Sequence, residues 1–173
     1  MATLGTTRLR LVAGAVAGGV GEKQGVEVAT GRRVVHHFGC DAQAKIEEDP
    51  YRLLSFCAGW KATDSLARTS FGVKDDDPRR LQAAVEEALY RVFDRGHTVA
   101  TNQMLMRQVG VLLDNPEHLP IWEFRIQRAL ELGFTNGSYV VSHVDLIHPL
   151  GPMVMEMTVA GAIASRLKTK EID

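Results

Sequence analysis

The chain has 173 residues, of which 45% are apolar and 24% charged, and its net charge is −1. That suffices for one domain with a real core or two small packed subdomains, and the composition is that of an ordinary globular protein. It excludes a low-complexity or collagenous chain and a uniformly basic nucleic-acid binder, no apolar run approaches the roughly 20 residues of a membrane span, and two cysteines, Cys40 and Cys57, make neither a disulfide framework nor a metal motif.

Residues 1–40 carry five basic groups (Arg8, Arg10, Lys23, Arg32, Arg33) against Glu22 and Glu27, a local charge of +3. Residues 41–100 and 101–173 each sum to −2 (nine basic against eleven acidic, then six against eight). The positive end is the N-terminal one. The apolar stretch Leu11–Val20 follows Arg8 and Arg10 but is short, Gly-rich and without a cleavage-like boundary. It does not read as a signal peptide, and reduced thiols point to the cytoplasm.

Helix punctuation dominates residues 41–96. Asp41 is placed to cap a short helix ending before Asp49. Asp49-Pro50 opens the next, with Asp as N-cap and Pro at the first helical position. That helix runs through Leu54, breaks at Cys57-Ala58-Gly59-Trp60 and restarts over Lys61–Ser70. Gly72–Pro78, "GVKDDDP", reads as a polar linker. Asp77-Pro78 repeats the capping device before a helix whose Leu81, Ala84, Val85, Ala88, Leu89, Val92 and Phe93 share one face. Gly96 is its expected C′ residue.

The second half changes character. Gly96–Val99 reads as a short extended piece, and Thr101 or Asn102 caps a helix through about Leu113. A further helix runs from about Ile121 to Leu132 and is expected to stop at Gly133, with Trp122 and Phe124 in the core. Asn136-Gly137 signals a turn, Tyr139–Val141 and Leu146-Ile147 two strands, and Met153–Leu167 a last helix rich in small residues. Two helices followed by a β-hairpin is the order of a winged helix. The expected fold is therefore mainly α, with a helix-hairpin-helix subdomain over 1–74 followed by a winged-helix-like α+β subdomain over 75–173 that ends in a helix.

Catalytic patterns are missing. There is no G-x-x-x-x-G-K-[ST], and "GAVAGGVG", Gly14–Gly21, lacks the Lys-Ser/Thr finish of a phosphate loop. His36 and His37 are adjacent, so on a helix their rings point about 100° apart and share no metal easily. Asp75-Asp76-Asp77 lacks the later Gly and Glu of a calcium loop. The reading is of a non-enzyme with no cofactor of its own.

The broken helix carries the functional signal. A helix, a tight turn with glycine and a second helix leave unpaired N–H groups at the start of the second helix, where the helix dipole is positive. Such a place suits a phosphate and does not read the base. Gly59 would allow close approach, Trp60 would lock the two helices, the N–H groups near Lys61 and Ala62 would hold the phosphate, and Lys61 would add charge.

Read in order, Phe38-Gly39, Asp41-Ala42, Asp49-Pro50-Tyr51-Arg52-Leu53, Gly59-Trp60-Lys61, Asp64, Leu66-Ala67, Asp77-Pro78-Arg79-Arg80 and Gly96-His97-Thr98 resemble the region upstream of the motor in RecD/TraA-type superfamily 1 DNA helicases. The resemblance covers roughly residues 34–113. It implies a non-catalytic accessory region that grips DNA backbone, single-stranded or forked, without sequence preference. The implied partners are that DNA and helicase motor domains, with no membrane, in a recombination or repair setting. It implies ATP and Mg only in a full-length parent, an ATP-dependent DNA helicase akin to the exodeoxyribonuclease V alpha chain, of which this sequence is an excised piece or a stand-alone relative. An earlier family hairpin corresponds to Gly19-Val20-Gly21 near Lys23, so Gly19, Gly21, Lys23, Arg32 and Arg33 join Gly59, Trp60, Lys61 and Ala62 as expected DNA contacts. Two departures stand out: Cys57 replaces the first hairpin glycine, where a positive φ would be strained, and the next apolar residue has shrunk to Ala58. Degraded hairpins and near-neutral charge leave a second expectation, a docking or scaffold module of a helicase, conjugation or recombination complex.

Overall fold

The computed structural model describes residues 28–113, 120–142 and 146–170. They form two compact units, the first ending at Ala83 and the second beginning at Ala84. The division falls inside a helix, further along the chain than the polar stretch Gly72–Pro78. That stretch is held by the first unit: Val73 is buried, and Arg68 pairs with Asp75 at 2.7 Å.

The first unit is helical. It comprises α1 (Val28–Phe38), a 3-10 turn (Gly39–Asp41), α2 (Ala42–Glu48), a 3-10 helix (Pro50–Phe56) and α3 (Trp60–Ser70), then the start of α4 (Pro78–Asp94). Asp41 stands at the N-cap of α2, though its side chain makes no capping bond. The Asp-Pro signals work as expected. Asp49 Oδ1 accepts from the Tyr51 amide at 3.0 Å, and Asp77 Oδ1 accepts from the Arg79 amide at 2.9 Å, each satisfying a donor the helix cannot. Between them the chain is first wound as 3-10 helix, not α-helix. Val34, Ala42, Ile46, Leu53 and Leu66 make the apolar core, with Phe38, Phe56, Ala58, Ala62 and Phe71 packed against it. Both limbs of the broken helix thus contribute to one core.

A buried polar cluster crosses this core. Arg80, 1% exposed, donates through Nε and Nη2 to Asp64 Oδ1 and Oδ2 at 2.8 and 3.0 Å. Tyr51 donates its hydroxyl to Asp64 Oδ1 at 2.6 Å. Burial, then the bond to Asp64, pushes the Tyr51 hydroxyl far above the ordinary tyrosine range. A folded pKa above the unfolded value of about 10 stabilises the fold fully below that pH, and the contribution is lost only as pH rises through the folded value.

The second unit contains the remainder of α4, β1 (Ala100–Thr101), α5 (Asn102–Leu112), α6 (Pro120–Thr135), β2 (Tyr139–Val141), β3 (Leu146–Pro149) and α7 (Leu150–Lys170). The strands form an antiparallel sheet in the order β1-β3-β2, with Ala100 opposite Ile147 and Val141 also opposite Ile147. Helix α4 ends in a left-handed Gly96, with His97 N–H bonded to Val92 and Gly96 N–H to Phe93. Thr101 caps α5 through its hydroxyl, which accepts from the Met104 amide.

Three expectations are corrected here. The extended piece after α4 is Ala100–Thr101, not Gly96–Val99. Helix α6 does not stop at Gly133 but passes through it to Thr135. Asn136-Gly137 closes it, with Gly137 at φ 76° and Ser138 N–H bonded to the Gly133 carbonyl at 2.8 Å. Gly133 serves packing: a Cβ there would stand 2.8 Å from Val85 Cγ1 and 3.1 Å from Tyr139 Cε1. Gly133→Ala is expected to destabilise the second unit by about 1–3 kcal/mol through overpacking, read as a lowered urea midpoint; an unchanged midpoint would refute it. Phe124 is not in the core but 67% exposed. The buried stripe of α6 is Ile126, Ala129, Leu130 and Gly133, and at 100° per residue Phe124 falls opposite it. The side chain of Trp122 lies outside the described residues.

Candidate nucleic-acid interface

The break between the 3-10 helix and α3 is a tight reversal with defined hydrogen bonds. Cys57 N–H reaches Leu54 O at 3.1 Å and Ala58 N–H reaches Leu53 O at 3.2 Å. This is the helix-closing pattern that places a left-handed residue at the reversal. That residue is Cys57, at φ 65° and ψ 26°, the one non-glycine with positive φ among the described residues. The left-handed position therefore falls where the sequence puts Cys57 in place of the first hairpin glycine. Gly59 itself is extended, φ −75° and ψ 147°, a conformation open to any residue. It is exposed, and a Cβ added there would meet nothing within 4 Å.

A left-handed cysteine is strained by about 1–2 kcal/mol, a penalty glycine escapes, although glycine also loses more entropy on folding. Cys57→Gly is expected to raise stability by about 0.5–1 kcal/mol, measured by chemical denaturation. Lower stability would show that the thiol side chain holds the turn. The side chain is exposed.

Beyond the turn, Gly59 is the N-cap of α3 and no side chain caps it. The first bond of the helix runs from Thr63 N–H to Gly59 O at 3.0 Å. The Lys61 and Ala62 amides precede that bond, and neither meets an acceptor among the described residues. They sit at the positive end of the α3 dipole. Lys61 is exposed and adds a full charge. Trp60, 7% exposed, turns inward and stacks on Tyr51 with ring centroids 5.7 Å apart and planes 25° from parallel. Its ring is a lock between the two limbs, not a surface for a ligand.

Arg32 and Arg33 are exposed on α1. Arg33 is brought to the hairpin: its Nη1 donates to Phe56 O at 3.1 Å, immediately before Cys57. Arg32, Arg33, Gly59, Lys61 and Ala62 all belong to the first unit, and Arg33 reaches the turn. Gly19, Gly21 and Lys23, the earlier hairpin expected from the sequence, lie outside the described residues. His37, weighed in the sequence only as a metal ligand, packs its ring 5.5 Å from that of Phe56 and 4.6 Å from that of Phe38. Its place four residues after Arg33, on the same helix face, is the signal that would have found it.

Two helical limbs joined by a tight turn, locked by an inward aromatic and opening α3 with uncapped amides, define a helix-hairpin-helix domain. Residues 20–99 match the family model of the ATP-dependent RecD2 DNA helicase HHH domain, and this stretch belongs to that domain family. No curated protein matches the chain. Among the described residues no helix is long and apolar enough to cross a membrane, and no group of three or more His, Cys, Asp or Glu is placed to hold a metal ion.

Proposed function

We propose that this chain is a non-catalytic accessory region of a RecD2-type helicase that holds DNA by its backbone, without reading bases. The observation that carries the reading is the uncapped start of α3, where the Lys61 and Ala62 amides meet no internal acceptor among the described residues and lie beside an exposed glycine and lysine. Such amides suit an anionic oxygen and distinguish no base from another. Single-stranded or forked DNA is the expected ligand, in the cytoplasm, in recombination or repair. ATP and Mg belong to a motor, for which this sequence has no phosphate loop.

The second unit supports two further parts of the reading. Its order of helix, strand, two helices and two strands, with the sheet ordered β1-β3-β2, suits a winged-helix-like module. Helix α7 favours a docking role for the same chain. Val154, Met155, Met157, Val159, Ile163 and Leu167 are all exposed on it, and it borders an open apolar groove of about 400 Å³ that includes Phe93. A helix apolar on every side is ordinarily buried, and a helicase motor domain is the partner proposed for it.

The test is fluorescence anisotropy of labelled single-stranded, duplex and forked DNA of two unrelated sequences, at about 50 and 200 mM salt. The reading expects binding that ignores sequence and weakens steeply with salt. Absence of binding at the lower salt would contradict it and leave docking as the remaining role.

A further inference from the structure

Helix α1 presents a basic face that the hairpin reading alone does not use. Its sequence, VATGRRVVHHF, contains no acidic residue. Thr30 and Val34, each 1% exposed, mark the side turned to the core. At 100° per residue, Arg32, His36, Arg33 and His37 fall in that order on one arc about 140° wide, which runs from the side facing away from the core, at Arg32 and His36, to the flank of Thr30, at His37, and all four are exposed. The arc meets the hairpin at its inner edge. Arg33 reaches the Phe56 carbonyl and His37 packs against the Phe56 ring, while Arg32 and His36 make a second, outer row one helical turn apart. A basic stripe of this kind is usually no more than a solvated face, but this one is joined side chain to backbone with the turn that precedes the uncapped amides.

We infer that α1 is a second phosphate-binding surface, contiguous with the hairpin, so that one nucleic-acid strand runs from the start of α3 across the turn and along the Arg32 and His36 row. This rests on the hairpin holding a phosphate. Arg33 is a positioning residue: one of its five N–H donors fixes the Phe56 carbonyl, and the others remain to face the strand. Each imidazole offers an N–H donor. Phosphate is the class of ligand, because guanidinium and imidazole groups without acids on their own helix or an aromatic platform in the outer row recognise anionic oxygens, not bases.

The experiment uses the full chain and a labelled oligothymidine, titrated over a range of salt. Arg32→Glu/His36→Glu alters two exposed side chains on the outer row, away from the Phe56 carbonyl and the core. It is expected to weaken binding by about tenfold or more and to flatten the dependence of log K on log salt by about 0.7 for each single-strand phosphate that is no longer neutralised. Arg32→Gln alone, a milder change that keeps the fold if the double variant does not, should flatten it by one such step. If both variants bind like wild type while Lys61→Glu binds weakly, the hairpin holds DNA and the α1 inference is overturned. If wild type itself does not bind, the hairpin reading and this one fall together.

Discussion

Asp64→Ala is expected to destabilise the first unit by about 3–5 kcal/mol, the range for removing one member of a buried ion pair. The substitution leaves the Arg80 guanidinium at 1% exposure without the carboxylate that takes two of its donors. It also strips the acceptor from the buried Tyr51 hydroxyl. The bond from Arg80 Nη1 to the Asp75 carbonyl is weak by comparison, at 3.4 Å. Against a total of about 5–15 kcal/mol for a typical domain, this is a large part of the stability. Urea denaturation of wild type and variant measures it. Asp64→Leu with Arg80→Met should recover much of the loss, because an apolar pair of similar volume needs no desolvation of charge. A loss below about 1 kcal/mol for Asp64→Ala would show that water reaches Arg80 and that the cluster is not closed.

Lys61→Glu should have the largest effect on binding. The side chain is exposed, at the second residue of α3, beside the amides assigned to the phosphate. Reversal removes an attractive charge and places a repulsive one at the same spot. DNA affinity should fall by about ten- to a hundredfold at low salt, and the salt slope should decrease by about 1. Stability should move the other way, because a carboxylate in the first turn gains about 0.3–1 kcal/mol from the helix dipole. Loss of binding in a protein that melts no lower than wild type separates contact from folding. Unchanged binding would move the phosphate away from α3. Lys61→Ala should give an intermediate loss, since it deletes the charge and keeps the amide.

Local chemistry made much of this fold readable. Asp-Pro pairs announce both capped starts because the side-chain oxygen and the missing proline N–H solve the same problem of unpaired donors. The helix over Pro78–Asp94 follows from an apolar stripe of constant period and ends at Gly96 because glycine enters the left-handed region freely. What could not be read depends on contacts distant in sequence. Asp64 and Arg80 lie 16 positions apart, and charged residues ordinarily face water. The one hint is that Arg80 falls in line with the apolar stripe of Ala84 and Ala88, and Asp64 with Trp60 and Ala67. Gly133 looked like a stop because glycine often ends helices; the structure gives it a packing reason that only the positions of Val85 and Tyr139 reveal. Phe124 looked like core by type, although its place on the wheel points outward.

The hairpin shows the same mixture. The order of helix, turn and helix was legible, as was the inward role of Trp60. The position of strain was legible too: Cys57 stands where a glycine was expected and adopts the left-handed conformation regardless. The approach of α1 was not. Arg33 is 23 residues from Phe56, and nothing local in "GRRVVHHF" says which face meets the turn.

The decisive measurement is the response of individual backbone amides to DNA. With the chain labelled in ¹⁵N and titrated with a short single strand, the Lys61 and Ala62 resonances should shift early, saturably and alike for strands of different sequence, while α5 amides stay in place. Lys61 and Ala62 amides that remain still at saturating DNA, with the changes gathered elsewhere, would contradict a phosphate site at the start of α3.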